Sequence, residues 1–273
     1  MNNLTLKQKL VEYLRPLAAG GFCVAFSGGV DSAVLLAACR SLTENVHAIT
    51  VRTPLHQKAE SAEAAALAEV IGCRHMVLHI AEIPESVAKN TPERCYLCKH
   101  EIFTSIKAYA AENNLATVVD GTNLDDMSEY RPGRRALAEL EITSPLRQCG
   151  LTKQQVREIA EEYGLSVARK PSTPCLATRF PYYAELLPEL LEKAGELEEF
   201  MQKHGFEIVR ARIHGNIVRL ELPPDRFDEA IQKYGEIVVA CKSCGFDYVT
   251  LDLEGFRSGS MDILPEQKAG NLI

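Results

Sequence analysis

One six-residue turn constrains this chain more than any other stretch: SGGVDS, Ser27 to Ser32. It is set directly after the apolar run Phe22–Phe26 and before the apolar run Ala33–Ala38. An apolar strand, a glycine turn and then apolar residues at helical spacing form the layout of a phosphate-holding loop at a helix N-terminus. Gly28 and Gly29 carry no Cβ, so the backbone can turn sharply and bring its N–H groups close to an anion. Ser27 and Ser32 add hydroxyl donors, and Asp31 can cap the helix or help hold Mg²⁺. No lysine follows the glycines, so this is not a Walker A loop. An ordinary strand-to-helix turn needs only a glycine and a cap; six consecutive positions fitting SGGxDS favour phosphate.

The chain around that turn alternates. Leu4, Leu10, Val11 and Leu14 recur at helical spacing and predict a lead-in helix over 4–17. Strands are expected over 22–26, 46–51, 75–80 and 116–120, with helices over 31–42, 58–71 and 99–112 between them. Strands separated by such helices imply a parallel sheet with helices on both faces. Ligands bind these sheets beyond the carboxyl ends of the strands. SGGVDS, the loop after Val51 and the turn GTNLDD all follow strands, so they can share one crevice. Thr122 and Asp126 therefore join Ser27, Gly28, Gly29, Asp31 and Ser32 as candidate nucleotide-binding residues. Asp125 and Asp126 could serve Mg²⁺ or cap the turn.

Thr152 starts a further helix, with Gln155 as its capping-box partner and Gly164 as its stop. Lys170–Tyr183 carries three prolines and no periodicity, and reads as an ordered functional loop or a connection between domains. Beyond it come a helix over 188–204, a hairpin of 206–213 and 217–222 around His214-Gly215-Asn216, a helix over 226–234 and a strand over 248–253. The expected division is an α/β domain, residues 1–183, and a small α+β substrate or oligomerisation domain, residues 184–273. A length of 273 residues accommodates both. The net charge of −7 argues against nucleic acid as the main partner. No stretch approaches a membrane span and MNNLTLKQKL lacks the apolar core of a signal peptide, so a cytoplasmic protein is expected.

Nine cysteines, without secretory features, point to reduced thiols and to metal or redox chemistry. Cys95 and Cys98 form one CxxC, expected in the loop before a helix; Cys241 and Cys244 form another, and Cys175 stands alone in the proline-rich loop. Cys23, Cys39, Cys73 and Cys149 have mostly apolar or helical neighbours and read as plain core or surface residues. The remaining five allow three arrangements. Two CxxC pairs could build a Cys₄ zinc site. Cys95, Cys98 and Cys175 could hold a [4Fe–4S] cluster with one iron left open. Cys175 alone could be the chemical thiol.

SGGVDS resembles the PP-loop of ATP pyrophosphatases, which split ATP between the α and β phosphates. The rest of the chain is similar, nearly end to end, to the LarE family of PP-loop sulfur transferases in nickel-pincer nucleotide biosynthesis. That similarity runs through GTNLDD, YRPGRR, SPLRQCGLTKQQVREIA, KPSTPCLATRFPY, VRARIHG and FDYVTLDLEGFRSGSM. The resemblance implies the adenine nucleotide alpha hydrolase-like fold and a two-step reaction. ATP adenylates a carboxylate of pyridinium-3,5-biscarboxylic acid mononucleotide, and sulfur then displaces AMP to leave a thiocarboxylate. Cys175 occupies the place of the family's sulfur donor, which in some members is given up to leave dehydroalanine. Cys95 and Cys98 add the pattern of the subgroup whose three cysteines carry the cluster. A substrate with a phosphate and carboxylates calls for guanidinium groups. Arg179 follows Cys175 closely, and Arg210 and Arg212 alternate on one strand and so share a face. Arg131, Arg134 and Arg135 could bind phosphate or face water. The resemblance also implies a homo-oligomer of hexamer type. A tRNA thiolase, a non-catalytic adenine-nucleotide sensor and an amidating synthetase are the rival readings.

Overall fold

The computed structural model describes residues 4–57, 60–127, 132–170, 173–257 and 259–261. Their packing divides the chain into two units. The first takes the described residues up to Thr53, those of Lys58–Glu82, and those of Glu93–Thr173; the second takes Pro54–Gln57, Ile83–Pro92 and the described residues from Pro174 onward.

The first unit is built on a parallel sheet of β1 (Phe22–Ala25), β2 (Val46–Arg52), β3 (Arg74–His79) and β4 (Thr117–Val119), in the order β3-β2-β1-β4. β1 is central, in register with Val46 and Thr117 at Phe22. Alternate residues serve opposite faces, as the strand period requires. Phe22 and Val24 pack with Val46, Ala48 and the helices Leu6–Leu14, Val30–Arg40, Glu60–Ile71 and Lys153–Glu162. Cys23 and Ile49 pack on the other side with Phe103, Ile106 and Ala110 of the helix Arg94–Glu112. Val30–Arg40 is buried nearly all round, because sheet and outer helices enclose it. This is the α/β architecture expected, with helices on both faces. The chain winds one way from β1 through β2 to β3, then places β4 on the opposite side of β1. The loops after β1 and β4 therefore flank the point where the strand order reverses.

One boundary departs from expectation in a way that concerns the chemistry. The helix Arg94–Glu112 starts well ahead of Lys99, so Cys95 and Cys98 lie on its first turns and not in a preceding loop. The cause is tertiary. Arg135, on the helix Gly133–Glu139, bonds Glu93 at 2.6 Å and lies 3.6 Å over the Tyr96 ring, whose hydroxyl donates to Glu139 at 2.8 Å. Gly133 permits this approach: a Cβ there would fall 3.1 Å from the Cys95 carbonyl oxygen.

The second unit is α+β. The helix Pro188–Lys203 packs on a three-stranded sheet of β5 (Arg210–His214), β6 (Ile217–Glu221) and β7 (Tyr248–Leu251). β5 and β6 form the expected hairpin around Gly215-Asn216, and β7 runs parallel to β6. A helix not foreseen, Tyr234–Ser243, follows the short helix Phe227–Gln232 and carries Cys241. The proline-rich loop belongs to this unit from Pro174 onward. Leu176 N–H donates to Leu55 O at 2.8 Å, and Leu186 N–H to Ala88 O at 2.8 Å. Among the described residues no helix is long and apolar enough to cross a membrane.

Candidate active site

In the first unit, Phe26 N–H extends the β1–β2 ladder to Ile49 O at 2.8 Å, and the chain then turns. Gly28 sits at φ 72°, and a Cβ there would meet Ala64 of the neighbouring helix at 3.2 Å, so the position needs glycine twice over. Ser27 and Ser32 lock the loop onto itself. Ser27 N–H donates to Ser32 Oγ at 3.3 Å, Ser32 Oγ to Gly29 O at 3.0 Å, and Gly29 N–H to Ser27 Oγ at 3.3 Å. Gly29 is the N-cap of Val30–Arg40 and offers no side chain to that helix's first-turn N–H groups. An anion is the natural occupant.

The turn after β4 is braced by Asp120, whose carboxylate accepts the hydroxyls of Thr122 and, at 2.5 Å, of Ser144. Asp126 Oδ2 accepts Asn123 N–H at 2.9 Å, and Asp125 Oδ2 accepts Lys153 N–H at 2.8 Å. Both carboxylates thus hold the turn. The two loops meet at Asp31: Asn123 Nδ2 donates to Oδ1 at 3.1 Å, and Lys153 Nζ to Oδ2. All seven nucleotide candidates therefore lie on the loops that follow β1 or β4 or on the helical turns those loops lead into. Asp120, Asn123, Ser144 and Lys153 were not singled out from sequence. Asn123 stood inside GTNLDD, while a lone lysine behind a capping threonine carries no signal of its own. Arg134 donates to the Met127 carbonyl at 3.2 Å, and Arg135 serves the brace described above; Arg131 lies outside the described residues.

In the second unit the arginines converge. Arg179 and Glu198 are both 0% exposed and form a two-pronged pair, Nε to Oε1 at 2.8 Å and Nη2 to Oε2 at 2.6 Å. Arg179 Nη1 turns the other way, to the carbonyls of Pro174 at 3.0 Å and Cys175 at 3.2 Å and the Thr178 hydroxyl at 2.8 Å. It therefore fixes the backbone that carries the half-buried Cys175. Arg212 reaches its diagonal cross-strand neighbour Glu221 through Nε at 2.9 Å and Nη2 at 2.7 Å, and Thr178 O through Nη1 at 2.8 Å. Arg210 shares that strand face but has a different environment. Among the described residues it donates to Val209 O at 2.6 Å and lies 5.3 Å from the Phe256 ring centroid, on no carboxylate. Burial, then the guanidinium groups of Arg179 and Arg212, push its pKa down to about 10, against the opposing pull of Glu198 and Glu221. It stays a cation at neutral pH, so the shift records what its charge costs there. Three buried arginines face two buried glutamates.

The thiols divide sharply. Burial pushes Cys23 and Cys241 up to about 12 and Cys73 up to about 11, and raises Cys39 and Cys149 as well. Of the four cysteines read as core or surface residues, Cys23, Cys39 and Cys149 are buried and Cys73 is partly buried against the core, and Cys241 is sealed in its helix. Cys95 is exposed and Cys98 partly so, one helical turn apart, with Arg94 Nη2 donating to Cys95 Sγ at 3.9 Å. Cys95 and Cys98 belong to the first unit; Cys175 and the other CxxC belong to the second. Among the described residues no three His, Cys, Asp or Glu side chains gather around a metal position. The pair on Arg94–Glu112 supplies two thiols one helical turn apart, with no third ligand gathered to them among the described residues.

A sequence profile of the PP-loop domain matches residues 2–131. An uncharacterized protein of Synechocystis is 38% identical over 243 residues, 88% of this chain and 91% of that one. The pyridinium-3,5-bisthiocarboxylic acid mononucleotide synthase of Lactiplantibacillus plantarum is 33% identical over 261 residues, 94% of each chain. A tRNA-specific 2-thiouridylase of Zymomonas mobilis is 28% identical over 233 residues, 70% of this chain and 62% of that one.

Proposed function

The chain belongs to the PP-loop family of ATP-binding, sulfur-transferring enzymes, and from that premise we propose that it thiolates a carboxylate of pyridinium-3,5-biscarboxylic acid mononucleotide. The observation that carries the substrate is the match to the plantarum synthase along 94% of both chains, second unit included. The buried arginine excess around Arg210 supports it, because a substrate bearing a phosphate and carboxylates supplies the missing negative charge.

A carboxylate resists nucleophiles, so the first step gives it a leaving group. A substrate carboxylate oxygen attacks the α-phosphorus of ATP, the bond to the β-phosphate oxygen breaks, and pyrophosphate departs. SGGVDS holds the polyphosphate through its N–H groups and the N-terminus of Val30–Arg40; Thr122 and Asp126 shape the facing turn, and ATP brings its Mg²⁺. In the second step a sulfur nucleophile attacks the acyl carbon and AMP leaves with the bonding electron pair. Arg210 would orient the substrate's anionic groups, while Arg212 and Arg179, expected from sequence to share that task, are held by Glu221, Glu198 and carbonyl oxygens and brace the backbone beside it. The finer reading is that Cys95, Cys98 and Cys175 together would hold a [4Fe–4S] cluster that supplies sulfide to the acyl carbon. Without it, Cys175 Sγ attacks directly to form a thioester. Loss of the Cα proton and cleavage of Cβ–Sγ then release the thiocarboxylate and leave dehydroalanine. Arg179 serves either route by fixing the Cys175 backbone. A homo-oligomer completes the reading.

The test is a single turnover with MgATP and the pyridinium dicarboxylate mononucleotide. Wild type should release pyrophosphate only with substrate present and form the thiocarboxylate; Cys175→Ala should keep pyrophosphate release and lose the sulfur product. Iron and sulfide analysis of anaerobically purified protein, with Cys95→Ala beside it, separates cluster from sacrificial thiol. Substrate-independent pyrophosphate release, or release driven by tRNA instead, would sink the reading.

A further inference from the structure

Two neighbouring arginines on one short helix serve different parts of the first unit. Arg134, on Gly133–Glu139, donates through Nη1 to the carbonyl oxygens of Met127 at 3.2 Å and Asp126 at 3.4 Å, in the turn after β4. Arg135 reaches instead to the start of Arg94–Glu112, the helix that carries Cys95 and Cys98. We infer that Arg135 is a positioning residue, through which the helix Gly133–Glu139 holds the Cys95–Cys98 thiol pair in place against the nucleotide turn. This rests on the sulfur-transfer reading above, to which it adds what aligns the two thiols.

The first turn of Arg94–Glu112 is poorly suited to stand by itself. Glu93 at its N-cap makes no side-chain capping bond, and no acidic side chain follows in the first turn. Arg94 also puts a cation at the positive end of the helix dipole. What this helix start lacks is supplied by its neighbour. Arg135 Nη2 bonds Glu93 Oε2 at 2.6 Å, and its guanidinium lies 3.6 Å over the Tyr96 ring. The Tyr96 hydroxyl donates to Glu139 at 2.8 Å, and Arg135 Nε lies 3.6 Å from the same carboxylate. Each contact is weak at an exposed site, but together they close a ring of four side chains over the turn. Beneath that ring Gly133 lies against the Cys95 backbone, so the two helices meet at the thiol pair.

Three positions apart on a helix is one face, so an intact first turn sets Cys95 and Cys98 toward the same side. An unwound turn loses that shared face. Arg134 adds the reference point, because the helix that braces the thiols is itself bonded to the turn expected to shape the nucleotide site. The brace also lies outside the core. The side chains of Arg135, Glu93 and Glu139 are 52%, 44% and 44% exposed, so its removal disturbs the turn and not the fold.

Hydrogen exchange and iodoacetamide labelling of wild type, Arg135→Met and Arg135→Lys, read by peptide mass, test the inference without substrate. In Arg135→Met the Leu97 and Cys98 amides should exchange, and the Cys98 thiol alkylate, about fivefold to tenfold faster. The buried Cys23 and Cys39 should stay protected in all three proteins. Arg135→Lys keeps a cation between Glu93 and Tyr96 and should fall between the other two. In a single turnover with MgATP and the pyridinium dicarboxylate mononucleotide, Arg135→Met should release pyrophosphate within about twofold of the wild-type rate. Thiocarboxylate should form about fivefold to tenfold more slowly. Exchange and labelling at wild-type rates overturn the inference, and so does thiocarboxylate formed at the wild-type rate. An equal loss of both steps, or labelling of Cys23 and Cys39, overturns it too, since the whole unit would then be damaged. Should Arg135→Met fail to fold, Glu93→Gln breaks the same contact from the other side and is read by the same criteria. Wild type that releases no pyrophosphate with substrate sinks the sulfur-transfer reading alone, because exchange and labelling still decide what Arg135 does.

Discussion

The two units hold charge in opposite ways. Around SGGVDS the buried Ser32, Thr122 and Asn123 stand beside a charged pair that stays partly open to water, Asp31 with Lys153. Around Cys175 the guanidinium groups are sealed, their N–H groups spent on two buried carboxylates and on carbonyl oxygens. Partly open partners suit a nucleotide that must enter, react and leave. Saturated partners fix the backbone on which Cys175 stands. Arg210 is the exception: it is buried beside Arg179 and Arg212, though less completely, and among the described residues it rests on no carboxylate.

That contrast can be broken most forcefully at Glu198. Glu198→Ala strands the Arg179 cation in a dry site and should cost about 3–5 kcal/mol of stability, read from denaturant unfolding. A loss under about 1 kcal/mol would mean that the pair is not what holds the unit. Arg210→Met should do the reverse. Burial and the neighbouring guanidiniums depress this arginine, so replacing it should leave stability unchanged or raised. Its affinity for inorganic phosphate or the mononucleotide should meanwhile fall about tenfold or more. Lowered stability with unchanged affinity would make Arg210 another structural member of the network. The smallest effect is expected in the nucleotide loop. Ser32→Ala removes hydroxyl contacts of 3.0 and 3.3 Å and should cost no more than about 1 kcal/mol. A larger loss would show that the loop is held as tightly as the arginines.

What could be read in advance followed how locally each feature is encoded. Strand, glycine turn and helix are contiguous, so the nucleotide loop was visible in six residues, and Thr152 with Gln155 announced a helix start three positions apart. The glutamates of the second unit were invisible because what makes them matter is a partner on another element. Glu198 stands on a helix whose pattern reads as amphipathic, and only the fold puts Arg179 and the Ala211 N–H on its carboxylate. The early start of Arg94–Glu112 was hidden likewise, since its brace comes from Arg135 and a close approach at Gly133. Tyr234–Ser243 escaped because Gly235 and the run Ile237-Val238-Val239 favour neither a helix nor its start.

The division of the chain into its units has a consequence for how the protein can be made. Pro54–Gln57 and Ile83–Pro92 are synthesised amid the first unit but belong to the second, where Leu55 and Ala88 receive hydrogen bonds from Leu176 and Leu186. On the ribosome these two stretches must wait before their partners exist, 121 residues from Leu55 to Leu176 and 98 from Ala88 to Leu186. Such distant closures are slow to form, and the waiting segments are exposed in the meantime. Nor can either half be detached by a single cut or grafted as one uninterrupted fragment. The polypeptide is stitched through both units, and a lineage carrying this fold would inherit them together.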